Sequence, residues 1–240
     1  MIKDLLRVNP TARMLREHAY AFSKFKDSPF PLIQIYLRRA NITHIFDVGA
    51  NKGSMTKLYL RLYKKINIIA FEPLSVFEFK SDQVKLIKAA LGAETGSAKF
   101  YVCKHNASSS LIPPNLSSDW LGRKAKILGL EAKKLYHEIE VSVSTIDQVV
   151  AENKIDNIFL LKIDTEGGEL NVIKGALKSL RLGIIKNIQL ESHGNDLRDN
   201  NKDEIFELLS NYTHQKTIKH YFGSFTEEFF SLTKDNLVNI

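Results

Sequence analysis

Four carboxylates stand where apolar runs of this chain stop. Asp47 lies in Ile45-Phe46-Asp47-Val48, Glu72 follows Ile68-Ile69-Ala70-Phe71, Asp164 follows Ile158 to Ile163, and Glu191 follows Ile188-Gln189-Leu190. Surface acids would scatter among helices. Acids at the carboxyl ends of strands surround one crevice, where open α/β sheets bind their ligands. His193 lies two residues beyond Glu191. An ordinary imidazole titrates near pH 6.5, at about the right place to take a proton from a hydroxyl group. Asp164, Glu191 and His193 are therefore the candidate catalytic residues. Asp164-Thr165-Glu166-Gly167-Gly168-Glu169 places further acids at the start of a helical pattern. Glu166 and Glu169 can serve there simply as caps.

The turn after the first acid narrows the ligand. Asp47-Val48-Gly49-Ala50-Asn51-Lys52-Gly53 has its glycines at 49 and 53, with Asn51 between them. A dinucleotide fingerprint needs a glycine in the middle, so that backbone can press against a pyrophosphate. Asn51 brings a Cβ and an amide to that place. A strand-end acid, Glu72, comes 25 positions after Asp47, suitably placed for ribose hydroxyls. Asp47 before the turn suits an ammonium group. A ribose, an ammonium and no phosphate describe S-adenosylmethionine.

These residues need elements to position them. Met55, Leu58, Tyr59, Leu62 and Tyr63 recur at helical spacing between two apolar runs, which predicts strand, turn, helix, strand. A short helix is expected near 74–81 and a third strand over 84–91. The turn at 92–96 and the alternation of 97–102 suggest a hairpin. Another alternating strand covers 140–144. The continuous apolar run 158–163 reads as a central parallel strand. A helix after Gly167-Gly168, a strand over 184–191 and a helix near 202–212 follow. Runs 217–222 and 225–232 read as a terminal hairpin. The fold class is α/β: a Rossmann-like, doubly wound, mainly parallel seven-stranded sheet, with helices on both faces and an antiparallel C-terminal hairpin.

Two regions fall outside this alternation. Residues 10–27 and about 32–40 read as helices, so residues 1–41 are expected to form an N-terminal helical cap on a domain spanning 42–240. Their alternative role is homodimer formation. Residues 104–138 lack a core pattern and contain Pro113-Pro114, Trp120 and a basic stretch from Arg123 to Lys134. An insertion of that length reads as a lid or an acceptor-binding element.

Composition excludes several classes. With 240 residues and a 44% hydrophobic content, the chain can bury a large core. One cysteine, Cys103, rules out an internal disulfide framework. No signal-peptide pattern and no apolar run approaching about 20 residues is present, so the expectation is a cytoplasmic protein without a membrane span. The net charge of +7 comes from dispersed lysines rather than a dense basic tract, so nucleic acid is not favoured as a partner. A non-catalytic nucleoside- or RNA-binding module is the alternative outside enzymes.

Taken together, the segments Phe46 to Gly53, Phe71-Glu72-Pro73, Ala89 to Gly92, Ser108 to Leu111, Leu161 to Glu169 and Val172 to Ala176 resemble the FkbM-type class I methyltransferases. The resemblance runs from about Thr43 to Ser192. It implies that Asp47, Gly49, Asn51 and Gly53 form the cofactor turn and that Glu72 takes the ribose hydroxyls. Ala90 and Leu91 would lie along the adenine, Ser109 would join the cofactor residues, and Asp164 would face the methyl. Thr165 and Gly168 stand where the family often has Val and Ala. The implied activity is S-adenosylmethionine-dependent O-methylation, on a sugar, a glycan or polysaccharide unit, or a natural-product scaffold. Asp164 and Glu191, with His193, also offer hard ligands for a divalent metal, an assisted mechanism that is not favoured because spacing establishes no three ligands.

Overall fold

A computed structural model describes residues 43–63, 65–104, 108–193, 201–219 and 225–233, with the side chain of His193 excepted. The expected helices at 10–27 and 32–40, and with them the N-terminal cap, lie outside these residues.

Strand β1 (His44–Val48) is followed by helix α1 (Ser54–Leu62) and β2 (Asn67–Phe71). Next come β3 (Val84–Ile87), β4 (Ala90–Leu91) and β5 (Gly96–Cys103). Helix α2 (Asp119–Leu128), a 3-10 turn (Ala132–Leu135) and β6 (Tyr136–Ser144) follow. The second half runs α3 (Ile146–Glu152), β7 (Ile158–Ile163), α4 (Glu169–Lys174), α5 (Leu177–Arg181) and β8 (Ile185–His193). It closes with α6 (Lys202–Leu208), β9 (Tyr212–Lys219) and β10 (Phe225–Leu232).

Seven strands form the main sheet in the order β3-β2-β1-β7-β8-β10-β9. The first five of these are mutually parallel, and β10 runs antiparallel to both β8 and β9. From β1 the chain winds outward to β3, then returns on the other side of β1 as β7. The β1/β7 seam is therefore the switch point at which doubly wound sheets open a crevice.

Alternation in β1 divides the core. Ile45 joins Tyr59, Tyr63, Ile66, Ile68 and Leu160 beneath α1. Phe46 and Val48 join Leu161, Ile163, Val149, Val172, Leu180 and Ile205 on the face covered by α3 to α6. Every residue of β7 is buried, as a strand sandwiched between two helical layers requires. On β10 the neighbours Glu227 and Glu228 turn to opposite faces. Gln189 Nε2 donates to Glu227 Oε1 at 2.7 Å, on the α1 side. Glu228 receives Lys202 Nζ of α6, His214 Nε2 and the Thr217 hydroxyl. Burial alone would raise the pKa of Glu228, but those hydrogen bonds outweigh it and hold the carboxyl below its ordinary value.

Four expectations need correction. Residues 74–81 form no helix: after Glu72 the chain makes a turn and runs extended to β3. The single strand over 84–91 is two, because the chain leaves the main sheet after Ile87. β4 then pairs parallel to β6, and β5 pairs antiparallel to β6, in a separate three-stranded sheet of order β4-β6-β5. The expected hairpin partner of β5 is thus replaced by β6. Finally, β8 runs on through Ser192 to His193 because β10 pairs with it that far, Phe225 opposite His193.

The insertion begins after β5 ends at Cys103, as expected, but it ends earlier than expected, since β6 begins at Tyr136. It also has its own small core. Ser118 caps α2 by accepting from the Leu121 amide at 3.2 Å, and Gly129 closes the helix with φ +63°. Leu121, Ala125 and Leu135 are buried together.

The small sheet meets the helical layer at glycine. A Cβ on Gly175, just past α4, would stand 2.1 Å from the carbonyl oxygen of Gly92. Both partners are backbone, so neither can swing aside. Gly175→Ala should destabilise the fold by about 2–3 kcal/mol, the usual range for overpacking. The check is a urea titration in which the midpoint falls while the m-value stays constant.

Candidate active site

The turn after β1 is built by backbone conformation that favours glycine. Gly49 and Gly53 have φ of +74° and +82°, and Asn51 between them has φ +48°. Asparagine tolerates this region better than most residues. The amides of Gly49 and Ala50 both donate to the Phe71 carbonyl, at 3.1 and 3.0 Å. The turn is thereby tied to the end of β2.

Glu72 completes that tie. One carboxylate oxygen accepts from the Asn51 amide and the other from the Leu74 amide, each at 2.9 Å. A carboxylate offers about four acceptor sites, so two amides leave capacity for further donors. Burial raises its pKa above the ordinary glutamate range, partly countered by those two amides and by Lys162. The Asn51 side-chain oxygen beside it is buried and has no hydrogen-bond partner among the described residues.

Across the switch point, Asp164 N donates to the Val48 carbonyl at 3.1 Å. The Asp164 carboxylate is partly open to solvent, with 27% of its side chain exposed, and lies 3.2 Å from Lys162 Nζ. The loop beyond it is held by Glu169, which accepts from the amides of Thr165 and Gly167 and from the Thr165 hydroxyl. Glu169 is thus engaged as a cap, and Glu166 sits in the left-handed region at φ +57°.

Asp47 differs from its expected placement. It is fully buried, accepts from the Thr56 hydroxyl at 2.6 Å and lies 3.3 Å from Lys162 Nζ. Its charge faces a protein cation rather than the crevice surface. Ala90 and Leu91 are buried in β4, one residue before Gly92 docks on β6. Ser109 uses its hydroxyl to accept from the Cys103 amide at 3.0 Å, closing the loop after β5. Its neighbour Ser110 reaches further, pairing with Tyr101 through backbone and donating to the Thr165 carbonyl at 2.8 Å. The root of the insertion is therefore hydrogen-bonded to the Asp164 loop.

Glu191 stands inside β8 rather than at its end, opposite Glu227 of β10, and its charge acts on Lys162. The backbone of His193 ends the strand. No group of three or more metal-ligating side chains occurs among the described residues. No helix among them is long and apolar enough to cross a membrane.

Several residues at this site carry no pattern signal of their own. Thr56, Gln189, Glu227 and Ser110 look like ordinary polar residues in amphipathic elements. Tyr59 donates to Gln189 Oε1 at 3.1 Å, and Gln189 donates on to Glu227, so a buried polar chain lies beneath α1. Burial first, then the charges of Asp47 and Glu227, keep the Tyr59 phenol protonated. Lys162 is the exception: a lone cation in a six-residue buried strand is a visible signal.

Two curated relatives are each 24% identical to this chain. "Methyltransferase sdnD" of Sordaria araneosa aligns over 208 residues, 73% of this chain and 71% of its own length. "Methyltransferase 1" of Beauveria bassiana (strain ARSEF 2860) aligns over 198 residues, 76% of each. Among solved structures, MtNAS in complex with MTA and tNA gives a TM-score of 0.39 at 10% identity, over 97% of this chain and 69% of that one. The pyocyanin biosynthetic protein PhzM gives 0.36 at 9% identity, and this chain, 95% of it covered, spans 60% of that one. Overlaps this loose carry no argument. The match that decides is to the Methyltransferase FkbM domain, which takes in residues 47–216, from the buried acid of β1 to β9. More than half of the chain lies within it, and the protein belongs to the FkbM family of S-adenosylmethionine-dependent methyltransferases.

Proposed function

We propose that this enzyme methylates a hydroxyl group of a saccharide, a glycan unit or a glycosylated natural product, holding S-adenosylmethionine along the ends of β1, β2 and β4. The observation that carries the cofactor assignment is Glu72. It is a buried carboxylate with acceptor sites to spare, beside a turn whose middle position is Asn51 and not the glycine that lets backbone approach a pyrophosphate. Two ribose hydroxyls would satisfy it, and the buried oxygen of Asn51 would take a further donor. Ala90 and Leu91 supply apolar surface for the adenine, and Ser109 closes the neighbouring loop. Asp47 supports the turn from below, through Thr56 and Lys162.

When bound, the cofactor supplies an activated methyl on a cationic sulfur. The protein's own part is alignment and exclusion of water. Asp164, on the open side of the β1/β7 seam, faces the positive centre. Glu191 and His193 of β8 are assigned the acceptor's side of the reaction, in which an imidazole takes the hydroxyl proton. The insertion rooted on Ser110 borders the same crevice and is the element suited to selecting that acceptor.

Calorimetric titration with S-adenosylmethionine, S-adenosylhomocysteine and NAD tests the cofactor assignment. Micromolar binding of the first two and none of NAD is expected. NAD binding, or no binding of either adenosyl ligand, overturns it. Transfer of labelled methyl to a panel of sugars and natural-product glycosides then tests the acceptor class.

A further inference from the structure

Lys162 is buried to 3% exposure, in a strand whose other residues are Ile, Phe and Leu. An ammonium has three N–H donors. Here the ammonium donates to the Gly49 carbonyl at 3.3 Å and forms ion pairs with Asp47 Oδ1 at 3.3 Å and Asp164 Oδ2 at 3.2 Å. These partners belong to three separate pieces, namely the end of β1, the glycine turn and the loop after β7. Burial alone would push the ammonium toward its neutral form, but Asp164, Asp47 and Glu191 more than reverse this and keep it charged. Glu72 feels its charge from the β2 side. Tyr59 of α1 and Glu227 of β10 belong to the same buried polar layer.

A purely structural account of this cation is weak. Buried ion pairs can often be exchanged for apolar residues of similar volume with no loss of stability. An apolar residue in β7 would serve the core as well as Lys162 does, provided Asp47 changed with it. What it could not do is grip Asp164, the member of the cluster that reaches solvent.

We propose that Lys162 is a positioning residue for methyl transfer: its ammonium locks the Asp164 carboxylate and the Gly49 carbonyl into one unit, so that a cationic ligand meets Asp164 in a single orientation. The inference rests on the assignment of Asp164 above. It explains why a cation stands beneath a site that receives a cation. Lys162 does not touch the ligand. It fixes the acid that does, and offsets Asp47, so that the open face of Asp164 remains anionic.

The test is a double-mutant cycle read by calorimetry with S-adenosylmethionine and S-adenosylhomocysteine. Lys162→Met alone would leave Asp47 buried and uncompensated, so the informative variant is Asp47→Asn with Lys162→Met, which removes equal and opposite charges. Circular dichroism should show a folded protein with S-adenosylmethionine binding weakened about tenfold and its preference over S-adenosylhomocysteine reduced. Adding Asp164→Asn to that variant should cost less than Asp164→Asn costs the wild type, because part of the worth of Asp164 depends on Lys162 holding it. Unchanged affinity and preference in the charge-paired variant, or a full additive loss on adding Asp164→Asn, would overturn the inference and leave the cofactor assignment intact. Failure of the wild type to bind either ligand would instead overturn the cofactor assignment itself. Should the charge-paired variant not fold, Lys162→Arg replaces it. A planar guanidinium keeps the charge but cannot copy three converging point contacts, so affinity should again fall, and wild-type affinity would sink the idea.

Discussion

Replacing Glu72 by Gln should weaken S-adenosylmethionine binding at least 100-fold, about 2.7 kcal/mol, and remove the acid limb of its pH dependence. The carboxylate oxygens now accept from the Asn51 and Leu74 amides, each at 2.9 Å. An amide nitrogen in place of either oxygen would set donor against donor. It would also deprive ribose hydroxyls of a charged acceptor. The pH behaviour follows from burial, which raises the folded pKa above the unfolded one. The free native state therefore holds this proton more tightly than the unfolded chain does. Stability contributed through Glu72 is greatest at low pH and falls as pH rises through the window from the ordinary glutamate value to the raised one. Binding runs the other way: donors on the ligand favour the carboxylate, so affinity falls as pH drops through that window. Calorimetry at a series of pH values should show the acid limb in the wild type and a flat profile in Glu72→Gln. Wild-type affinity in the variant would end the ribose assignment.

Gly49→Ala should be the most damaging single-methyl change in the crevice. A Cβ there would lie 1.8 Å from the Asp164 carbonyl oxygen, and φ is +74°. The strain of the left-handed region adds about 1–3 kcal/mol to a clash that only separation of the β1 and β7 loops can relieve. The expected loss is at least about 3 kcal/mol in stability, with no measurable cofactor binding in what remains folded. Gly53→Ala provides the comparison. Its φ is also positive, but the added Cβ would meet the edge of the Phe77 ring at 2.9 Å, a side chain that can shift. It should fold and bind more weakly. Thermal melts and calorimetry on both variants check the order, and a reversed order would contradict the geometry at the seam.

Much of this arrangement was legible in residue types. The turn, the central parallel place of the 158–163 strand and the strand-end position of Glu72 and Asp164 follow from apolar runs that stop at acids, because a strand buried on both faces permits little else. The helix expected at 74–81 was not legible as extended chain. Phe77 and Phe79 pack beneath Gly53, a contact across the glycine turn that no local period reports. The split of 84–91 escaped for a related reason: Lys88-Ala89 contains no breaker, and only β6, some fifty residues later, draws β4 away from the main sheet. Polar Ser192 and His193 make Glu191 look like a strand end, yet pairing with β10 carries the strand past them. A lysine inside Leu-Leu-Lys-Ile-Asp has to be paired, and the sequence itself offers Asp47 and Asp164 as partners.

The last strand, β10, poses a problem of copying fidelity. Its sequence, Phe-Thr-Glu-Glu-Phe-Phe-Ser-Leu, doubles its key letters. Moved by one residue, it would still present one glutamate and at least one phenylalanine to each side of the sheet, so the strand by itself hardly distinguishes the right alignment from its neighbour. The distinction is written in its surroundings. Gln189 offers a single amide to one glutamate, whereas Lys202, His214 and Thr217 offer a cation, an imidazole and a hydroxyl to the other. The irregular pairing between Phe229 and Phe230 against β9 marks the same address. Correct threading of the C-terminal hairpin is thus a message held by α6, β8 and β9, and a change at Lys202 or Gln189 would corrupt it without touching β10 at all.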